Sequence, residues 1–110
     1  MGYDARAEYT RLLRSDSGPE WARLRALLSE RGLDPNAVAL ATFFPDDVDM
    51  SFGILVTPGD HVYEFDFTYD TGDLAAAVFS DWRDRSESWR ESPHRIAIEA
   101  AFRLLAQDGA

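Results

Sequence analysis

The chain has 110 residues, of which 45% are hydrophobic and 13% aromatic, and its formal net charge is −9. This length fits a single domain over residues 1–110, and the apolar content excludes a generically disordered chain. The absence of cysteine excludes disulfides and thiolate metal sites. The N-terminal residues lack a signal-peptide pattern, and no apolar stretch approaches the roughly 20 residues of a membrane span, so we expect a cytoplasmic protein.

The negative charge is concentrated in the middle of the chain. Between Val38 and Asp81 there are nine acidic residues and no Lys or Arg, whereas acidic and basic residues balance in both flanks. A surface of this kind attracts cationic partners, and it disfavours nucleic acid, because binding phosphates requires basic residues. We therefore expect a basic protein partner, with no direct nucleic-acid or membrane binding.

Two helices are predicted in the first third of the chain. Apolar residues recur at helical spacing over 3–14 and again after a break at residues 15–19. Ser17 and Glu20 have the spacing of a capping box, Pro19 suits a first helical turn, and Gly32 supplies a left-handed stop. The predicted apolar stripes consist of Ala5, Tyr9, Leu12, Leu13, Trp21, Leu24, Leu27 and Leu28.

From Val38 onward the periodicity becomes extended. Residues 38–44 and 50–56 are apolar runs of strand length, separated by a turn at 45–49. The segment Thr57-Pro58-Gly59-Asp60 has Pro and Gly at the positions that a type II turn requires, which predicts a hairpin onto the next strand.

The clearest strand is predicted at residues 61–69. Aromatic side chains occupy every second position, and Glu64 and Asp66 lie between them. Because successive side chains of a strand point to opposite faces, the pattern predicts one aromatic face and one acidic face. The aromatic face consists of His61, Tyr63, Phe65, Phe67 and Tyr69.

The last third is predicted to contain an edge strand and a helix. Residues 74–82 have some helical propensity, but the alternation from Val78 to Trp82 favours a fourth strand. Ser92-Pro93 opens a final helix, whose predicted buried face is Ile96, Ala97, Ala100, Ala101, Leu104 and Leu105. The predicted fold class is α+β, with two N-terminal helices, a three- to four-stranded antiparallel sheet and one C-terminal helix.

Signals for catalysis and metal binding are weak. The two histidines, His61 and His94, lack the partners of a catalytic triad and are too few for a zinc site. Asp46, Asp47 and Asp49 crowd one turn, yet the alternating ligands, central Gly and terminal Glu of a calcium loop are missing. No glycine-rich phosphate loop occurs. We therefore predict a protein that is not an enzyme and uses no cofactor or metal.

One stretch carries a family resemblance. The segments 42–49 (TFFPDDVD), 52–57 (FGILVT) and 62–66 (VYEFD) resemble small acidic actinobacterial proteins, some of which are immunity proteins of polymorphic toxin systems. The resemblance covers roughly residues 38–82. It implies an intracellular single-domain inhibitor that binds and blocks a toxin.

The favoured function is therefore stoichiometric binding of a cationic toxin or nuclease. Two alternatives stay open: a DNA-mimicking or phage-encoded inhibitor, and a small ligand-binding domain or enzyme that uses the aromatic face of the sheet. Trp82 or Trp89 would serve as an aromatic anchor if exposed. The predicted partner-binding residues are Asp46, Asp47, Asp49, Glu64, Asp66, Asp70 and Asp73.

Overall fold

The computed structural model describes residues 5–44, 50–59, 61–71, 73–84 and 88–108. Its helices and strands are α1 (Ala5–Ser15), α2 (Pro19–Glu30), β1 (Ala39–Phe44), β2 (Met50–Thr57), β3 (His61–Asp70), β4 (Asp73–Asp81) and α3 (Arg95–Asp108). The predicted α+β class and element order are confirmed, and the ambiguous stretch after residue 73 forms a strand.

The four strands form one antiparallel sheet in the order β1-β2-β3-β4. Each strand lies beside its neighbour in the chain, so the sheet is a meander. Gly59, in the turn between β2 and β3, has a φ of 86°, the positive value that the type II pattern requires. The predicted hairpin between these strands is confirmed.

The start of α2 differs from the prediction. Gly18, not Ser17, is the N-cap residue, and no side chain caps the helix. Pro19 occupies the first helical turn as expected. A capping box with Glu20 requires the N-cap three residues earlier, at Ser17, whereas the observed N-cap is one residue later. The Asp16 carboxylate instead accepts a hydrogen bond of 2.8 Å from the Gly18 N–H. At the other end Gly32, with a φ of 76°, ends the helix as predicted.

The aromatic face of β3 forms the larger core together with α1 and α2. Phe65 and Phe67 are fully buried beneath Leu13, Trp21 and Leu24 of the two helices. Phe43 of β1 joins this core, where its ring centroid lies 5.1 Å from those of Tyr9 and Trp21. The prediction that the aromatic side of the sheet packs against helices is therefore confirmed.

The opposite face of the sheet packs against α3. Ile98 and Ala101 of α3 are fully buried against Ala39, Ile54 and Val56. Ile96, which was predicted to face the core, is instead 69% exposed. Side chains two positions apart on an α-helix point in directions about 200° apart. Because Ile98 faces the sheet, Ile96 faces solvent.

Gly53 of β2 allows a close contact between the strand and the aromatic core. It pairs with Phe43 on one side and Phe65 on the other, and these two rings are stacked with centroids 6.1 Å apart. A Cβ at position 53 would lie 2.8 Å from Cε1 and Cε2 of Phe65, and closer still to Cζ. The Phe65 ring therefore occupies the space that a side chain would take.

We expect Gly53→Ala to lower the free energy of unfolding by about 1–3 kcal/mol, because the buried Phe65 ring must move. Urea denaturation measures the change. The Phe65→Leu background is the control, because a smaller side chain leaves room for the methyl group and the cost of Gly53→Ala should shrink there. An equal cost in both backgrounds would contradict the steric explanation.

Thr71 lies in the two-residue connection between the paired residues Asp70 and Asp73. Its φ is 50°, a left-handed conformation that is unfavourable for a β-branched residue and that Asn adopts more readily.

Thr71→Asn should therefore raise the free energy of unfolding by about 1 kcal/mol, whereas Thr71→Val should lower it. Thermal and urea unfolding of both variants check the opposite signs. A less stable Thr71→Asn protein would rule out backbone strain at this position.

Candidate protein-binding surface

Helix α3 covers only one half of its side of the sheet. Its buried side chains contact β1 and β2, whose residues on this face are apolar except for Thr42, which pairs with Ile54. On β3 and β4 the residues beyond the helix are half-buried or exposed. We call this region, which lies outside the contact with α3, the open sheet face, and it consists of Glu64, Asp66, Thr68, Ala76, Val78 and Ser80.

Four of the predicted partner-binding residues share this side of the sheet. Glu64, Asp66 and Asp70 occupy even positions of β3, and Asp73 of β4 pairs directly with Asp70. Side chains at alternate positions, and side chains of paired residues, point to the same face. These four residues therefore form one acidic row, which spans about 20 Å at roughly 3.4 Å per residue from Glu64 to Asp70.

Exposure increases along the acidic row toward the β3–β4 turn. Glu64 and Asp66 are half-buried in the middle of the strand, whereas Asp70 and Asp73 are exposed. The predicted residues Asp46, Asp47 and Asp49 lie outside the described residues, so the structure assigns them no position. Strands β2, β3 and β4 contain neither Lys nor Arg, so a Lys or Arg near the row belongs to another segment.

Exposed apolar side chains lie next to the acidic row. Val78 pairs with Asp66 and is 54% exposed, and Met50 pairs with Thr68 and is 47% exposed. Phe52, which pairs with Asp66 from the other side, is half-buried. The surface thus combines carboxylates with exposed large apolar groups, a mixture typical of protein-binding sites.

One acidic residue of the middle segment is removed from this surface. Asp81, at the end of β4, is only 8% exposed, and its carboxylate accepts hydrogen bonds from the Arg83 main-chain N–H and guanidinium at 2.6–2.9 Å. The Arg83 side-chain hydrogen bonds hold the pKa of Asp81 below its ordinary value, although burial opposes this effect. The charge of Asp81 is thus compensated by an arginine from outside the acidic segment.

The two tryptophans proposed as anchors are not prominently exposed. Trp82 is 8% exposed and belongs to the core beneath α3. Trp89 is half-buried, with its ring centroid 5.6 Å from that of Phe102 and the Arg90 guanidinium 4.5 Å from its own ring centroid. Neither residue lies on the strands of the open sheet face.

The two histidines lie in different parts of the fold. His61 begins β3 opposite Thr57, and the main-chain N–H of His94 donates to the Ser92 hydroxyl before α3. Within the described ranges, no group of three His, Cys, Asp or Glu side chains could hold a metal ion. None of the described helices is long and apolar enough to cross a bilayer.

The exposed apolar residues of this surface were missed by sequence reasoning. The sequence pattern places Val78 in an alternating strand and Met50 at the start of an apolar run, and neither pattern indicates exposure. The available signal was the stretch from Leu74 to Ser80, which lacks any charge even though an edge strand normally carries one.

The chain matches no family model, no curated protein and no solved structure.

The pairing of Asp81 with Arg83 predicts a pH dependence of stability. Because the pKa of Asp81 is lowered in the folded protein, the stabilisation is complete above the ordinary carboxyl pKa of about 4 and is lost as the pH falls through the folded value. Asp81→Asn should lower the free energy of unfolding by about 1–3 kcal/mol at pH 7. The difference from the wild type should begin to shrink as the pH falls below about 4, and should disappear only below the lowered pKa of folded Asp81, where that side chain is neutral too.

Urea unfolding at pH 7, 5, 4 and 3 measures this difference. The matched control is Asp73→Asn, which makes the same change at the exposed end of β4, opposite Asp70, and should cause no loss at pH 7. A deficit of Asp81→Asn that persists unchanged at pH 3 would show that the carboxylate charge is not responsible.

Proposed function

We propose that this protein is a non-enzymatic binding protein that neutralises a cationic protein, such as a nuclease toxin, by forming a stoichiometric complex in the cytoplasm. The observation that carries the proposal is the incomplete cover of the sheet. Helix α3 leaves β3 and β4 open where the acidic row lies beside Val78, which is 54% exposed.

The charge of this surface favours rapid association with a basic partner. Carboxylates on one face produce a coherent negative potential, which steers a cationic protein during diffusion and weakens as salt is added. The formal net charge of −9 acts in the same direction at longer range. The charges thus account for the speed and selectivity of an encounter more than for its final affinity.

The apolar residues supply what the charges lack. When a partner binds, burial of exposed side chains such as Val78 and Met50 adds hydrophobic contact area to the interface. Polar groups surround this area, as in the interfaces of known protein pairs. A surface that only kept the protein soluble would not need exposed large apolar residues beside its carboxylates. Their combination supports a binding role over a purely solubilising one.

The resemblance to immunity proteins suggests a toxin as the partner. The proposed cytoplasmic location agrees with that role, since an immunity protein must protect the cell that makes the toxin. A DNA-mimicking inhibitor would use the same carboxylates against a nucleic-acid-binding protein, and competition with nucleic acid would identify it. The use of the aromatic face as a pocket wall has less support, because Phe65 and Phe67 are fully buried under helices.

The partner is best sought in the product of the neighbouring gene. We expect that product to stop growth when it is expressed alone, and growth to return when this chain is co-expressed. Purification should then yield a complex of fixed stoichiometry. A neighbouring product that neither inhibits growth nor binds this chain would contradict the proposed immunity role.

The acidic row predicts a specific kinetic effect. We expect Glu64→Gln combined with Asp66→Asn to slow association with the cationic partner by about threefold to tenfold at low salt, and to flatten its salt dependence. Stopped-flow or surface-plasmon measurements across a salt series test this, and urea unfolding verifies that the variant is folded.

Two variants that each remove one negative charge distinguish the effect of a carboxylate's position on the association rate from the effect of net charge. Glu64→Gln and Glu30→Gln each remove one carboxylate, but Glu30 is an exposed residue at the end of α2, on the other side of the sheet. Only Glu64→Gln should slow association appreciably. Equal effects of the two variants would show that net charge alone, without a defined surface, attracts the partner.

A further inference from the structure

Strand β4 is the outer strand of the sheet beside the open sheet face. Among the described residues, β3 is its only strand neighbour. In an edge strand, alternate main-chain N–H and C=O groups point away from the sheet and are available to another strand. From Leu74 to Ser80 this edge contains no charged residue and no proline, the residues that commonly protect an edge from pairing.

The regular part of the edge is short and well defined. The register shifts between Thr68 and Tyr69, and Ala75 of β4 has no paired residue there. A bulge of this kind interrupts the ladder, so regular pairing extends from Ala76 to Asp81. Its side chains toward the open sheet face are small or exposed: Ala76, Val78 and Ser80.

One main-chain acceptor of β4 is already engaged by a cation from outside the sheet. The Arg31 guanidinium donates a hydrogen bond of 3.1 Å to the Phe79 carbonyl and lies 4.9 Å from the centroid of the Phe79 ring. Arg31 follows α2 and belongs to no strand. This contact shows that the edge accepts hydrogen bonds from a positively charged group approaching from outside the sheet.

We infer that the β4 edge binds an extended, cationic segment of the partner protein as a fifth strand of the sheet. This inference rests on the proposed function, because it assumes a basic protein partner, and it adds how that partner is held. Main-chain hydrogen bonds to β4 would hold the segment, and its side chains would make contact across the open sheet face.

The spacing of strands explains why the segment is cationic. An added strand lies about 4.8 Å from β4 and therefore about 10 Å from β3. The negative potential of the acidic row attracts Lys or Arg side chains over this distance, across the small residues Ala76 and Ser80. A second copy of this chain fits less well, since each copy has a formal net charge of −9 and would bring a second acidic row to the same place.

The experiment uses the full chain and a labelled eight-residue peptide of alternating Lys and Val with blocked ends. Fluorescence anisotropy measures its affinity. Two further peptides carry N-methyl groups on either the Lys or the Val nitrogens, so that each lacks the donors along one edge only. We expect one methylated peptide to bind about tenfold or more weakly and the other to keep its affinity, because a strand pairs through one edge.

Chain variants locate the binding site. Val78→Lys and Ile96→Lys each place one positive charge at an exposed apolar position, but Ile96 lies on α3. Val78→Lys should lower the affinity for the unmethylated peptide by about tenfold, and Ile96→Lys should change this affinity far less. Arg31→Met should strengthen binding severalfold, because it frees the Phe79 carbonyl.

The possible outcomes separate this inference from the proposed function. Equal affinity of all three peptides would overturn strand pairing but leave electrostatic binding of a basic protein intact. Failure of every cationic peptide to bind also counts against the edge, whereas the proposed function is judged by the toxin co-expression test. Sedimentation would show whether the wild-type protein forms a dimer. A dimer that dissociates in the Val78→Lys variant would identify a second copy as the occupant of the edge and overturn the inference of a cationic segment.

Discussion

The alternation of side chains along β3 is the constraint on which the rest of the structure depends. Phe65 and Phe67 point to one face and are fully buried, whereas Glu64 and Asp66 point to the other. Because β3 is a central strand, its two faces determine what can lie above and below the sheet. The aromatic face is stabilised by burial, which α1 and α2 provide. Burial of the carboxylates on the acidic face is unfavourable.

This asymmetry explains the position of α3. Burying two carboxylates beneath the apolar face of a helix would cost several kcal/mol of lost hydration. The neighbouring strands β1 and β2 instead present Ala39, Ile54 and Val56 on this face, where α3 buries Ile98 without that cost. The helix therefore lies over the apolar half, and the acidic half remains open. The proposed binding surface is thus a consequence of how the core forms.

The same sheet shows two ways in which an acidic residue can be accommodated. Asp81 is buried and bonded to Arg83, so it contributes to stability and little to the outer surface. Asp70 and Asp73 are exposed opposite each other at the β3–β4 turn, where two like charges repel. That repulsion and the positive φ of Thr71 both lower the stability of this turn.

Local patterns in the sequence determined the order of helices and strands, the hairpin at Gly59 and the two faces of β3, because these depend on residues a few positions apart. They did not determine the exposure of Ile96, the cap of α2 or the compensation of Asp81 by Arg83. Only the tertiary structure decided that Glu64, Asp66, Asp70 and Asp73 share one face with exposed Val78. The physical reason is that strand register and the position of α3 depend on contacts between distant segments, whereas periodicity reports only on neighbours along the chain.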